Sequence, residues 1–419
     1  MILSQQVPEH KPPHLVVVGN GMAGMKTVEY LLQYAPNQYR ISVIGKEPYT
    51  NYNRIMLSQI LSGEKSLAEI MIHDENWYQQ QAISLYKGET VISIDRENKQ
   101  LCTENNTLDY DFLLLATGSN PFMLAIPGHQ LEGVIPFRDI AQVNTLLHYS
   151  QLHQRAVVLG GGLLGLEAAY GLVQQGMDVT VLHSRDYILN RQLDKNAAQL
   201  LQQSLAAKGV KFVLSAETIA ITGKTRVDGV QLQSGQWLGC ELFVMAIGVR
   251  PNIKLAQQAG LDCNLGIQVN DFLQTADPAI YAVGECIEHA QQTFGLVAPL
   301  YDQAEVCAKK LAGYPVAAYQ TKPTATQLKV SGIQLFSVGD FDATGTEVLS
   351  FTDQGVYKKL VIKDNLLIGA VLYGETQDGR WFQQLIESKT PVDQVRHSLI
   401  FGQAYHADLI APSLTAEIQ

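Results

Sequence analysis

Leu15-Val16-Val17-Val18-Gly19-Asn20-Gly21-Met22-Ala23-Gly24 is the stretch that decides the fold. A run of apolar, β-prone residues stops at a Gly-x-Gly-x-x-Gly pattern, and a helix-compatible segment follows to about Tyr34. The reading is strand, tight turn, helix. Each glycine has a physical reason to be there. Gly19 lets the chain reverse at the strand end. Gly21 has no Cβ and lets a pyrophosphate approach the backbone. Gly24 lets helix and strand pack closely. The helix N-terminus then offers unpaired N–H groups and a positive dipole end to the phosphates. One such pattern also arises from packing alone, but here the arrangement recurs. Ala156–Leu159 reads as a strand, Gly160-Gly161-Gly162-Leu163-Leu164-Gly165 as the turn, Leu166–Val173 as the helix and Asp178–Leu182 as the next strand. A packing-only account would need the same coincidence twice.

The text between and beyond these openings continues the alternation of strand and helix. Arg40–Gly45 reads as the second strand of the first unit, and an acid at its end would hold an adenosine ribose through its hydroxyls. Lys46 stands where that acid belongs; Glu47, one residue later, is a candidate for the ribose and, equally, a solvated loop carboxylate. A buried strand then runs into Ala116-Thr117-Gly118, small residues that permit close backbone approach to a ligand. Leu242–Gly248 reads as another strand, and Thr275–Glu285 as one ending in Gly-acid. After Pro315 the period changes to two: strands over Leu328–Ile333, Leu335–Asp340, Val356–Lys363 and Leu366–Tyr373 predict antiparallel hairpins, followed by a helix over Gly379–Ile386. The fold class is therefore α/β, with two Rossmann-like dinucleotide-binding domains, the second inserted in the first, plus a small C-terminal α+β domain. The expected boundaries are 1–120 with 251–318, 121–250, and 319–419.

The 419 residues are 46 % hydrophobic and 17 % charged, a globular composition with ample core. A net charge of −10 supplies no basic face for a phosphate backbone, which speaks against nucleic acid. No apolar run reaches bilayer-spanning length, and Met1–Pro13 is polar, lacks a secretory apolar segment and reads as a loose arm. The five cysteines, Cys102, Cys240, Cys263, Cys286 and Cys307, show no zinc-like or C-x-x-C spacing, so no metal site is expected; they fit a reducing, cytoplasmic compartment.

Taken together, the two glycine turns, the Ala-Thr-Gly strand end, Ala246-Ile247-Gly248-Val249-Arg250-Pro251-Asn252 and Tyr281-Ala282-Val283-Gly284-Glu285 resemble the flavoprotein reductases that hold FAD in one dinucleotide domain and NAD(P)H in the next. Asn51–Ser58, Arg191-Gln192-Leu193-Asp194, Gly284–His289 and Gly295–Tyr301 narrow the resemblance to the flavin-bearing N-terminal part of assimilatory NAD(P)H nitrite reductase large subunits, with rubredoxin reductases as near relatives. Leu328–Gly332 and Phe336–Asp340 extend it into the third domain. Two departures matter. Those large subunits continue into cysteine-rich iron–sulfur and sirohaem regions, whereas no cysteine follows Cys307 here. The thiol-dependent members carry a catalytic cysteine where this chain reads Ile55-Met56-Leu57-Ser58-Gln59-Ile60.

The resemblance implies that Gly19, Gly21 and Gly24 take the FAD pyrophosphate and that Arg54, Ala116, Thr117 and Gly118 line the FAD site. It places Glu285 at the acid for the ribityl chain, where most relatives have Asp, and Pro299 and Leu300 near the flavin ring. Gly160, Gly162 and Gly165 would take the NAD(P)H pyrophosphate, with Glu167 toward the nicotinamide. After Leu182 the ribose position reads His183-Ser184-Arg185, where Arg185 is a candidate for a 2′-phosphate and, equally, a solvated arginine. No catalytic residue beyond the cofactors is implied. Three functions follow as expectations. The first is a reductase passing electrons to an external redox protein, such as a nitrate or nitrite reductase or a small iron–sulfur carrier. The second is a rubredoxin- or ferredoxin-type reductase, or an oxidase using oxygen or a quinone. The third is a redox-responsive binding protein without turnover. The C-terminal domain is expected to serve dimerisation or partner docking.

Overall fold

The computed structural model describes residues 11–328 and 332–406. The expected N-terminal arm lies outside these over residues 1–10, as do Lys329, Val330 and Ser331 of the first expected C-terminal hairpin. In chain order, β1 (His14–Val18), α1 (Met22–Tyr34) and β2 (Arg40–Gly45) open the fold. They are followed by α2 (Leu57–Leu61), β3 (Ser84–Lys87) and β4 (Phe112–Leu115). The second turn is framed by β5 (Val134–Pro136), β6 (Arg155–Leu159), α3 (Leu163–Gln174) and β7 (Asp178–Leu182). Then come α4 (Lys195–Ala207), β8 (Val210–Val213), β9 (Leu242–Met245), β10 (Ile280–Ala282) and α5 (Val297–Leu311). The last segment holds β11 (Thr326–Leu328), β12 (Leu335–Gly339), β13 (Glu347–Asp353), β14 (Val356–Lys363), β15 (Leu366–Tyr373) and α6 (Gly379–Ser388).

Two compact units emerge. The first comprises Met1–Arg54, Leu67–Asn120 and Val249–Thr321. Its five parallel strands are ordered β10-β4-β1-β2-β3. A parallel strand flanked on both faces must be apolar throughout, and β1 shows it: every residue from Leu15 to Val18 is buried. α1 packs on α5, whose buried face repeats at helical spacing through Leu300, Ala304, Cys307 and Leu311.

The second unit comprises Ile55–Ser66, Pro121–Gly248 and Lys322–Gln419. Its parallel sheet is ordered β8-β7-β6-β9-β5. α2 packs here against α3, where the missing side chain of Gly171 makes room for Leu61 and where Gln175 Nε2 donates to the Leu61 carbonyl at 2.8 Å. The C-terminal sheet is antiparallel, ordered β11-β12-β15-β14-β13, with α6 burying Trp381, Phe382 and Leu385 against it.

Several boundaries differ from the sequence reading. α3 starts at Leu163, three residues early, because Gly162 serves as its N-cap in extended conformation. β9 ends at Met245; Gly248 has φ +114° and turns the chain, its carbonyl accepting the Phe122 N–H at 2.9 Å. α6 runs on to Ser388. β13 is an additional strand. It lies at the sheet edge and is exposed almost throughout, so it carries little of the alternation that marks a strand with one buried face.

Candidate functional site

The two glycine turns are built on the same plan. Gly19 has φ +119°, and a Cβ there would overlap the Ala116 carbonyl oxygen; Gly160 has φ +121° and stands in the same relation to the Ala246 carbonyl. Gly24 packs its helix against the turn, since a Cβ would lie 2.7 Å from the Gly19 carbonyl oxygen; Gly165 would overlap the Gly160 carbonyl. The middle glycines behave differently. A Cβ on Gly21 or on Gly162 would meet nothing within 4 Å. Both are extended N-caps, at φ −88° and −86°, so space is open beside the starts of α1 and α3, whose first N–H groups have no partner within the helix. Two of the three glycines in each motif therefore serve the fold, and the third leaves room for something outside the protein.

Around the first turn the structure gathers most of the predicted residues of that unit. Ala116 sits against Gly19; Thr117 Oγ1 donates to the Asn252 carbonyl at 2.8 Å, and Gly118 has φ +65° with open space beside it. The Gly284 backbone comes beside Ala23 of α1, a Cβ there lying 3.0 Å from that of Ala23. Next to it, the Glu285 carboxylate accepts the Ser119 hydroxyl at 2.6 Å. Pro299 and Leu300 are buried at the start of α5, and Gln303, one turn on, accepts the Gly284 N–H at 2.9 Å. Glu47 has both oxygens engaged within its own loop, by Tyr52 Oη at 2.8 Å and Arg54 Nη2 at 2.6 Å, with the Arg54 guanidinium 4.9 Å from the centre of the Tyr52 ring. Lys46 is exposed.

Three residues that the sequence reading passed over hold this loop on the turn. Asn20, between the first two glycines, donates to the Tyr49 carbonyl at 3.2 Å and accepts from Tyr78 Oη at 2.7 Å. Asn51 Nδ2 donates to the Asn20 carbonyl at 3.0 Å. Glycine spacing carries no trace of these partners, which lie 29 to 58 residues away.

In the second unit His183 plays the corresponding part. Its Nδ1 accepts the Gly161 N–H at 3.2 Å and its Nε2 lies 3.2 Å from Asn190 Oδ1. A Cβ on Gly161 would lie 2.9 Å from the imidazole, so the middle glycine of the run is explained by ring packing. Glu167 lies on α3, half-buried; burial pushes its carboxyl up to about 7, against a smaller lowering by the Ser58 hydroxyl of α2. Ser58, on the segment where thiol-dependent relatives carry cysteine, thus bears on the titration of a predicted site residue. Arg185 is exposed. Of the groups outside the predicted set, Cys286 is buried with its thiol 3.2 Å from the Val283 carbonyl and its pKa raised by burial. His289 pairs with Asp271 at 2.9 Å, edge-on to Tyr319.

A duplicated, pyrophosphate-ready strand–turn–helix with an antiparallel C-terminal sheet defines a class, and this chain belongs to the Pyridine nucleotide-disulphide oxidoreductase family, which it matches over residues 13–309. Residues 324–390 match the Rubredoxin NAD+ reductase C-terminal domain. Among individual proteins, the chain is 45 % identical over 384 residues to Nitrite reductase [NAD(P)H] of Bacillus subtilis, covering 91 % of this chain and 48 % of that one. It is 45 % identical over 382 residues to the Assimilatory nitrate reductase electron transfer subunit of the same organism, covering 90 % and 49 %. The chain thus spans about half the length of these relatives. Its fold is similar to that of the ferredoxin reductase for the CYP199A2 system from Rhodopseudomonas palustris, with TM-score 0.83, 27 % identity and coverage of 91 % and 96 %. No helix among the described residues is long and apolar enough to cross a membrane.

Proposed function

We propose that the protein is an NAD(P)H-dependent FAD oxidoreductase that hands electrons to a separate redox protein, in the setting of nitrate or nitrite assimilation. The observation that carries this reading is the matched pair of turns, each with two glycines tied to the fold and one left open. A single open turn would fit any mononucleotide; two fit a pair of dinucleotides. When bound, FAD exchanges a hydride from NAD(P)H for electrons released one at a time.

The chain's own residues bind and orient. Gly19, Gly21 and Gly24 with the α1 N-terminus receive one pyrophosphate, flanked by Ala116, Thr117, Gly118, Arg54 with Glu47, Glu285, Pro299 and Leu300. Gly160, Gly162 and Gly165 with the α3 N-terminus receive the other. Glu167, its carboxyl raised by burial to about 7, is able both to donate and to accept a hydrogen bond toward a carboxamide. The names of the relatives support the setting: one is an electron transfer subunit of nitrate reductase and another a nitrite reductase. The C-terminal sheet, with Val348 and Phe351 exposed on its edge strand β13, suits docking of the redox partner or of a second copy. Five unpaired cysteines suit the cytoplasm.

The test is direct. The purified protein should be yellow, release FAD and not FMN on denaturation, bleach with NAD(P)H and turn over ferricyanide rapidly but oxygen slowly. Fast oxygen turnover would favour an oxidase, and failure of NAD(P)H to bleach the flavin would leave a binding protein.

A further inference from the structure

In a βαβ coenzyme site the residue at the end of the second strand tells NADH from NADPH. A carboxylate there accepts the ribose hydroxyls and repels a 2′-phosphate, whereas an arginine nearby pairs with that phosphate. In this chain β7 ends at Leu182 and the next residues are His183, Ser184 and Arg185. Their backbone is held firmly: His183 N–H donates to the Val213 carbonyl at 3.0 Å, the His183 carbonyl accepts Ala216 N–H at 2.9 Å, and the Arg185 carbonyl accepts Ser215 N–H at 2.9 Å.

The His183 side chain is committed to the protein. Because Nδ1 accepts the Gly161 amide, the ring proton sits on Nε2 and donates to Asn190 Oδ1. The ring lies against the glycine turn, where Gly161 alone leaves it room. Burial, with a lesser push from the Arg185 guanidinium, holds its pKa down, so the ring stays neutral. The strand-end position therefore offers no carboxylate to a ribose diol and no negative charge to a phosphate. The acid nearest in sequence, Asp186, is already neutralised by Lys195 Nζ at 2.7 Å. Ser184, Arg185 and Asp186 are all exposed beyond the strand end; the Asp186 carboxylate is paired with Lys195, and the Arg185 guanidinium is the cation next to the strand end.

We infer that this chain selects NADPH over NADH, with Arg185 reading the 2′-phosphate at a strand end that His183 has closed to the ribose diol. The inference rests on the second turn being the coenzyme site. Arg185 acts as a specificity residue. It touches the far end of the coenzyme, so its loss changes which coenzyme binds and leaves the hydride chemistry alone.

The experiment is isothermal titration calorimetry of the FAD-loaded full chain with NADP+, NAD+ and 2′,5′-ADP, repeated on Arg185→Ala and Arg185→Lys. The expected result is NADP+ binding at least about tenfold tighter than NAD+, with measurable binding of 2′,5′-ADP. Arg185→Ala should lower the NADP+/NAD+ affinity ratio by about tenfold, and Arg185→Lys should retain part of it. Equal affinities, tighter NAD+, or an Arg185→Ala effect of the same size on both nucleotides would overturn the inference while leaving the coenzyme site in place. If neither nucleotide binds, the assignment of the second turn itself fails, and the inference with it.

Discussion

Gly19 and Gly162 stand in two copies of one motif, the first at its first glycine and the second at its middle one, and should fail differently when substituted. Gly19, at φ +119° and against the Ala116 carbonyl, tolerates no side chain, and its replacement costs the fold. Gly162, at φ −86° with nothing within 4 Å of its Cβ position, can take one without steric conflict inside the chain. Gly162→Val should therefore fold with an unchanged melting temperature and keep its FAD while losing NAD(P)H reduction; unchanged reduction kinetics would make the second turn purely structural. Glu167 gives a pH test. Its carboxyl is raised from 4.5 to about 7, so the folded state holds a proton that the unfolded chain has released. Below pH 4.5 both states are protonated and there is no penalty; stability falls as pH rises from about 4.5 to about 7 and then levels, by at most about 3 kcal/mol. Glu167→Gln should thus be more stable than the parent at pH 8, with the difference vanishing near pH 4; parallel urea midpoints across that range would refute the assignment. The glycines were legible because close approach demands them. Asn20, Ser58 and the locked His183 were not, because a polar side chain's partner far along the chain leaves no period to read.

Element by element, the parallel strands were legible from their apolar runs, and the join between α4 and the C-terminal sheet was not. That join is polar. Asp194 caps α4 by accepting the Ala197 N–H at 3.2 Å, and the same buried carboxylate accepts Tyr357 Oη of β14 at 2.5 Å, with Lys359 Nζ at 3.5 Å. Farther along α4, Ser204 Oγ meets Tyr373 Oη of β15 at 2.6 Å. The first contact binds a charge and the second joins two neutral hydroxyls, and hydrogen bonds to charged groups are the stronger. Tyr357→Phe should therefore cost roughly 1.5–3 kcal/mol and Tyr373→Phe about 1 kcal/mol, read as urea-denaturation free energies. The opposite order would mean that the Asp194 charge is satisfied without the tyrosine. β13 escaped the sequence reading for a related reason: only Leu349 of its seven residues is even half-buried, so burial wrote almost no pattern into it.

At the scale of the whole molecule the question is where two electrons go once the nicotinamide has delivered them. A thiol relay would need a cysteine pair, or one reactive thiolate in an electropositive, accessible place. All five cysteines are free thiols. Cys240, Cys286 and Cys307 are buried, and burial raises each thiol, which is the reverse of activation. Ser58 and not a thiol stands on α2 beside Glu167. Among the described residues no three His, Cys, Asp or Glu side chains gather as metal ligands. On the proposed function, electrons then leave the described residues from the flavin itself, with no thiol or metal relay among them. Cys286→Ser is the sharpest probe. The Cys286 thiol already has the Val283 carbonyl at 3.2 Å, so a hydroxyl in its place finds an acceptor and the fold should survive. Such a variant should keep NAD(P)H-to-ferricyanide activity within about twofold, since the step that sets it lies elsewhere. The parent chain on its own should leave nitrite untouched until a separate metalloprotein is added. A folded Cys286→Ser chain that retained FAD but lost ferricyanide turnover would contradict direct exit and place a thiol in the electron path.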